Sequence, residues 1–140
     1  MSTDQDRVKS QAASIAAGIL EQQTKWQEAQ DLDNPVEYDG EQLTYDDIVD
    51  RIHQEPLSVG VRSGWYQPGR ETPAPEEYSI LLGTGGPAFR IVGRLDEHLE
   101  PETAVLEFQD WFTSWEPYVP ASQAEEEALL WYAGLFYFGD

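Results

Sequence analysis

Carboxylates dominate the chemistry that this sequence could perform, because 27 of its 140 residues are Asp or Glu and only eight are Lys or Arg. The formal net charge is −19, and the chain contains no cysteine. The densest run of acids lies between residues 31 and 50, which contain no Lys or Arg. Such side chains can bind cations, work in pairs as general acid and base, or pair with a basic partner.

Two groups of these acids are candidates for binding a basic partner. Asp46, Asp47 and Asp50 stand three and four residues apart, which places them on neighbouring turns of one helix. Like charges at this spacing repel one another, so they become favourable only when a basic partner neutralises them. The second group lies in residues 95–140, where Lys and Arg are absent. The predicted partner-binding residues are Glu37, Asp39, Glu41, Asp46, Asp47, Asp50, Asp96, Glu97, Glu100 and Glu102.

The sequence contains few residues suited to metal binding, nucleophilic catalysis, phosphate binding or nucleic-acid binding. The two histidines, His53 and His98, do not have the spacing of a helical metal site, and no Cys nucleophile is present. The stretch 83–86 (GTGG) is followed by neither Lys nor a helix pattern, so it predicts a hairpin turn instead of a phosphate loop. Nucleic acids require a basic groove. We therefore predict no enzymatic activity, no metal, no cofactor and no direct contact with nucleic acid, while a carboxylate-pair hydrolase would need a pocket that sequence does not reveal.

The elements that must position the acids begin with three helices. An amphipathic first helix is predicted over residues 4–29, and its short side chains allow close packing against the domain's own sheet or, alternatively, against a second copy. Thr44 and Asp47 form a capping box that starts a second helix over residues 45–54. Ser122 and Glu125 form the same pattern before a third helix, whose remaining part, residues 128–138, is densely apolar.

Four strands are predicted between the second and third helices. Their ranges are 57–66, 78–82, 89–95 and 104–112, where apolar and polar residues alternate. Arg90 and Arg94 are expected to oppose Glu107 and Gln109 across neighbouring strands. The predicted fold class is α+β, with an antiparallel sheet of about four strands and three helices in the order α-α-β-β-β-β-α.

The length of the chain predicts a single domain, with residues 1–30 as the amphipathic helix and residues 31–140 as an α+β body. No apolar run is long enough to span a membrane, and the start lacks the basic flank of a signal peptide. The lack of cysteine fits a reducing compartment. We therefore expect a cytoplasmic protein without a membrane partner.

Three segments resemble a group of uncharacterised acidic proteins carried by bacterial phages and other mobile elements. They are residues 78–88 (YSILLGTGGPA), 106–112 (LEFQDWF) and 136–139 (FYFG). In charge and size the chain is also similar to DNA-mimic inhibitors of restriction and CRISPR systems. Together the resemblances imply a counter-defence protein, and they supply no active site.

These observations lead to a functional hypothesis and two alternatives. We expect an acidic protein-binding inhibitor that occupies the nucleic-acid-binding surface of a host defence complex, of the anti-CRISPR or anti-restriction type. The first alternative is a non-catalytic structural or assembly protein of a phage or mobile element, in which the small-residue first helix and the aromatic end form an oligomer interface and the acids provide only solubility. The second is adaptation to salt, which the presence of only two Lys fits.

Overall fold

Three helices and seven strands make up a computed structural model of the chain, which describes residues 4–110 and 113–139. The helices are α1 (Asp4–Leu32), α2 (Tyr45–His53) and α3 (Gln123–Ala133). The strands are β1 (Val36–Tyr38), β2 (Glu41–Leu43), β3 (Ser58–Ser63), β4 (Pro75–Gly83), β5 (Ala88–Arg94), β6 (Val105–Gln109) and β7 (Glu116–Pro117). The predicted α+β class and the three helices are confirmed.

The strands form two antiparallel sheets. Strands β3 to β7 lie in sequence order in a five-stranded sheet, and β1 pairs with β2 in a separate hairpin. Side chains on successive strand residues point to opposite faces, so one face of the larger sheet collects the apolar positions. On that face lie Tyr78 and Ile80 from β4, Ile91 from β5, and Leu106 and Phe108 from β6, all of them buried.

The core lies between this sheet face and the helices. Helix α1 contacts α2, α3 and β6, and its residues Val8 and Ile19 are buried. Ala12 and Ala16 are fully buried as well, so the expected packing of this helix against its own domain is confirmed for these two residues. They do not form an exposed seam for a second copy. No helix in the described ranges is long and apolar enough to cross a membrane.

Helix α2 follows its sequence signals closely. The Thr44 side chain accepts a hydrogen bond from the Asp47 backbone, and the Asp47 carboxylate accepts one from the Thr44 backbone, so the predicted capping box is present. Ile48 and Ile52 are buried, as the helical spacing requires. The helix ends at His53, one residue before the predicted end.

The predicted number of strands is wrong, because β1, β2 and β7 were not expected. Each has only two or three residues, which is too short for an alternating pattern to be visible in sequence. Asp39 and Gly40 form the two-residue turn between β1 and β2, with φ of 53° at Asp39 and 81° at Gly40. Such turns favour Asp-Gly since both positions need positive φ.

The boundaries of the longer strands also differ from the prediction. Strand β3 covers six residues instead of the predicted ten, and β4 begins at Pro75 because a register shift lets this residue pair with Ser63. Strand β6 ends at Gln109; Trp111 and Phe112, included in the predicted strand, lie outside the described residues. The hairpin turn predicted between β4 and β5 is confirmed.

One of the two predicted cross-strand arginine pairs is present. Arg90 opposes Glu107, and its Nε lies 2.8 Å from the Glu107 carboxylate. Arg94 instead opposes Glu77 of β4, because its position on β5 lies beyond the end of the β5–β6 ladder. Gln109 opposes Ala88 at the other end of that ladder.

The third helix is shorter than its apolar sequence suggests. It ends at Ala133, and the chain continues without helix so that the Phe138 ring packs 4.8 Å from the Tyr78 ring. At its start, Ser122 caps the helix, but the Glu125 carboxylate turns inward and accepts hydrogen bonds from the Tyr118 hydroxyl (2.6 Å) and the Ala121 backbone (3.0 Å). Burial and this carboxylate raise the pKa of Tyr118 to about 12.

Gly93 on β5 allows the chain between β5 and β6 to cross close to the sheet. A Cβ atom at this position would lie 2.0 Å from the backbone oxygen of Thr103. We therefore expect Gly93→Ala to lower the free energy of unfolding by about 1–3 kcal/mol, since overpacking forces the backbone to shift. Urea unfolding measures this change. Gly18→Ala on α1 is the control, because a Cβ there meets no atom within 4 Å and alanine favours a helix, and equal stability of the two variants would contradict the prediction.

Candidate functional site

The β1–β2 hairpin and helix α2 together display six exposed carboxylates, which we call the α2 acidic surface. Its members are Glu37, Asp39, Glu41, Asp46, Asp47 and Asp50. All six belong to the predicted partner-binding residues. The structure places them on two consecutive elements in mutual contact, so this group predicted from sequence is also a spatial group.

Helix α2 points its acids outward because its apolar residues face the core. Ile48 and Ile52 are buried, and Asp46 and Asp50 lie on exposed positions of the helix. The helical rise places Asp46 and Asp50 about 6 Å apart along the axis. Neither carboxylate has a hydrogen-bond or ion-pair partner among the described residues, so both are available to a binding partner.

The hairpin presents its acids on a defined turn. The backbone N–H of Gly40 donates a hydrogen bond of 3.1 Å to the Glu37 carboxylate, which closes the turn at its tip. Glu37 opposes Gln42 and Tyr38 opposes Glu41 across the two strands. The turn fixes the backbone of Asp39, whose carboxylate extends from the tip of the hairpin.

Arg51 joins the hairpin to helix α2. Its Nη2 lies 2.7 Å from an Asp39 carboxylate oxygen, its Nη1 lies 3.9 Å from Glu41, and its guanidinium lies 5.4 Å from the centre of the Tyr38 ring. These exposed ion pairs stabilise the fold by only about 0–1 kcal/mol each. Six carboxylates and this one guanidinium leave the α2 acidic surface with a formal charge of −5.

Asp47, like Glu37 at the hairpin turn, has a carboxylate with a structural role. It accepts a 3.0 Å hydrogen bond from the backbone of Thr44, whose hydroxyl accepts a 3.1 Å bond from the backbone of Asp47. Loss of a helix cap costs about 0.5–2 kcal/mol. A substitution at Asp47 would therefore change stability as well as charge, which makes Asp46 and Asp50 better positions for testing binding.

Two acids that were not predicted extend the negative field around Tyr38. The pKa of the Tyr38 hydroxyl is raised, first by burial and then by the charges of Glu21 and Glu55. Glu21 lies on α1 and Glu55 lies just after α2, so three elements contribute carboxylates to this region. No sequence pattern predicts this grouping, because the residues come close together only when α1 packs beside α2.

Glu55 is also a link between the helices. One of its carboxylate oxygens accepts a 2.8 Å hydrogen bond from the Gln22 amide, and the other accepts a 3.0 Å bond from the Tyr132 hydroxyl. Burial and the Glu55 charge raise the pKa of Tyr132 above its ordinary value, so this hydroxyl remains a donor. Glu55 thereby ties the end of α2 to both α1 and α3.

The second predicted group lies on the connection between β5 and β6. Here Asp96 is a structural residue, because its Oδ1 accepts hydrogen bonds from the backbone of His98 (2.8 Å) and Glu100 (3.0 Å). A bridge between Leu95 and Pro101 closes the same loop. Residues 96–98 therefore form a polar turn, which leaves Glu97 exposed.

Glu102 belongs to a different environment from the loop acids. It lines a groove together with Glu126 and Glu127 of α3, two exposed acids that were not among the predicted residues. The apolar side chain of Val119, which is 78% exposed, lies in the same groove. No hydrogen bond or ion pair between described residues joins this second group to the α2 acidic surface.

The histidines lie apart from these acids. His53 Nε2 is 2.6 Å from the backbone oxygen of Leu135, and the His53 ring packs 5.4 Å from Phe136. His98 Nε2 lies 3.5 Å from the Glu97 carboxylate on the exposed loop. Within residues 4–110 and 113–139, no three His, Asp or Glu side chains are arranged to hold a metal ion. The acids in these ranges form a charged surface, and their carboxylates do not point toward a common site.

The structural role of Asp96 predicts a pH-dependent stability. Hydrogen bonds from the backbone of Glu100 and then His98 lower the pKa of Asp96, so its stabilising effect is present above the unfolded-state pKa and is lost as the pH falls through the folded-state pKa. We expect Asp96→Asn to be less stable than wild type at pH 7, with the difference shrinking below about pH 4. Urea midpoints measured between pH 7 and pH 2.5 test this. Glu97→Gln is the control, and a difference that does not change with pH would contradict the prediction.

Comparison of the chain with protein-family models, with curated proteins and with solved structures gave no significant match in any of the three. The resemblance to acidic phage proteins therefore stays a prediction.

Proposed function

We propose that this protein is an inhibitor that binds a basic protein surface and keeps nucleic acid from occupying it. The target class is a nucleic-acid-processing complex of host defence, of the restriction or CRISPR type. The observation that carries the proposal is the α2 acidic surface, with six exposed carboxylates and one base on two joined elements. A surface of this sign complements the Lys and Arg side chains that neutralise phosphates in nucleic-acid-binding grooves.

The spacing of the helix acids supports this proposal. Asp46 and Asp50 are separated by about 6 Å along α2. Phosphates of one DNA strand follow one another at about 3.4 Å of helix axis, so two carboxylates at this spacing match roughly alternate phosphates. A basic groove that accepts DNA would therefore meet charges at a compatible interval.

The rigidity of the frame is a second support. Helix α2 is capped by Thr44, anchored in the core by Ile48 and Ile52, and joined to the hairpin by Arg51. Side chains held on such a frame lose less conformational entropy on binding than side chains on a mobile segment. Repulsion among them is also relieved when a basic partner binds, which adds to the gain on association.

The cellular context follows from the proposed target. Restriction and CRISPR complexes act on DNA in the cytoplasm, and a chain without cysteine suits a reducing compartment. The similarity in charge and size to DNA-mimic inhibitors points the same way. Binding without catalysis, metal or cofactor is sufficient for such a function.

Competition with DNA tests the proposal. We expect the protein to displace a fluorescently labelled duplex from at least one member of a panel of purified restriction and CRISPR complexes, with an affinity that falls as salt rises. The combined variant Glu37→Gln, Asp46→Asn and Asp50→Asn removes three charges, and the glutamine amide oxygen at position 37 can still accept the Gly40 hydrogen bond. It should bind roughly 3- to 150-fold more weakly, at about 0.2–1 kcal/mol for each lost surface pair. Fluorescence anisotropy gives both affinities.

The matched control removes three exposed acids outside the two candidate groups. Glu28→Gln, Asp31→Asn and Glu71→Gln together change the net charge by the same amount. This control should bind with an affinity within about threefold of wild type, because the binding depends on the position of the removed charges and not on the net charge alone. Equal losses in both variants would remove the α2 acidic surface from the proposal, and displacement from no complex in the panel would refute the proposed target class.

A further inference from the structure

Strand β3 forms an open edge of the five-stranded sheet. It pairs with β4 on one side, and it stands first in the strand order. Its residues from Ser58 to Arg62 are all exposed. An edge strand directs alternate backbone N–H and C=O groups away from its sheet, so a strand that is not covered can pair with another chain.

On the face of the sheet that packs against the helices, the side chains of β3 are apolar. Val59 opposes Ile80 and Val61 opposes Tyr78, so both valines lie on the face that the helices cover further along the sheet. Yet Val59 is 41% exposed and Val61 is 48% exposed, because the helices do not reach this edge. The core layer therefore continues to the edge of the sheet and ends without a cover.

The segment that contains β3 lacks acids, as do two other stretches of the chain, residues 7–20 and 78–95. Residues 56–70 contain no Asp or Glu and two Arg, whereas an average stretch of this length would hold about three acids, since acids make up 27 of 140 residues. Arg62 is paired with Glu77 of the neighbouring strand. A two-fold symmetric dimer brings identical surfaces together, so two chains of charge −19 repel each other least through a surface that lacks acids. Strand β3 is such a surface, and it is also an exposed edge of the sheet.

We propose that two copies of the chain pair antiparallel through β3, which joins their sheets into one continuous sheet. A two-fold axis perpendicular to the sheet keeps each face on its own side, so residues of like orientation must oppose one another. Centred on Gly60, this register places Gly60 opposite its symmetry mate and Val59 opposite Val61 of the second copy. Four valines then form one apolar cluster across the junction.

This dimer is independent of the proposed inhibition and responds to salt in the opposite direction. Salt screens the mutual repulsion of two negative chains, so the dimer should strengthen as ionic strength rises. Binding of the α2 acidic surface to a basic partner should weaken under the same change. Failure of one proposal is therefore distinguishable from failure of the other.

Sedimentation velocity over a range of concentrations and at two salt concentrations tests the dimer. We expect the wild-type chain to move from monomer to dimer as its concentration rises, at lower concentration in high salt. The variant Val59→Asp with Val61→Asp should remain monomeric, while Val59→Thr with Val61→Thr keeps strand-forming residues without charge and should still dimerise. A wild-type chain that stays monomeric at every concentration would overturn the proposal, as expected if the edge instead accepts a strand from a different protein.

Cysteine cross-linking tests the register, since the chain has no cysteine of its own. Gly60→Cys is tolerated sterically because a Cβ there meets no atom within 4 Å. Directly opposed residues lie within the Cα separation of a disulfide, about 4.4–6.8 Å, so this variant should form an intermolecular disulfide on oxidation. In Ser58→Cys the two thiols would stand about 13 Å apart along the strands and should not react. Equal cross-linking of the two variants, or none at Gly60→Cys, would refute this pairing.

Discussion

Mutual repulsion among carboxylates is the constraint that the rest of this structure must satisfy. A formal charge of −19 opposes compaction, and the apolar core between the sheet and the three helices has to offset it. The fold reduces this repulsion by using some acids as hydrogen-bond acceptors. Asp47 caps α2, and Asp96 accepts backbone hydrogen bonds in the β5–β6 loop. Glu55 accepts hydrogen bonds from α1 and α3, and the buried Glu125 accepts hydrogen bonds from a hydroxyl and a backbone amide.

Two exposed acids of the α2 acidic surface have a different status, because no described residue forms a hydrogen bond or an ion pair with their carboxylates. Asp46 and Asp50 repel each other across one turn of α2, and no described residue neutralises them. Such a pair costs stability in the isolated protein and becomes favourable in a complex with a basic surface. Some acids therefore stabilise the fold and others destabilise it. This difference is the physical basis for proposing a binding role for the α2 acidic surface.

Sequence predicted the parts of this arrangement that depend on local rules. The capping box of Thr44 and Asp47 and the pairing of Arg90 with Glu107 follow from short-range spacing and strand alternation. The six members of the α2 acidic surface were predicted together, because they stand within 14 residues of one another. The role of Glu55 could not be predicted, since its partners are 33 and 77 residues away and meet it only through helix packing. The shortest strands could not be predicted for a related reason. They are defined by tertiary pairing, and two or three residues are too few to show an alternating pattern of apolar and polar side chains.

The uneven placement of charge argues against solubility as the sole use of the acids. An exposed edge strand is the part of a sheet most prone to aggregate, and charged residues are the common protection there. A chain selected only for solubility would therefore carry acids on β3. Instead, Val59 and Val61 are exposed in a stretch without acids, while carboxylates concentrate on a helix that is already capped and anchored. The distribution suits two separate contacts, one made by carboxylates with a basic partner and one made by an uncharged edge with a second copy.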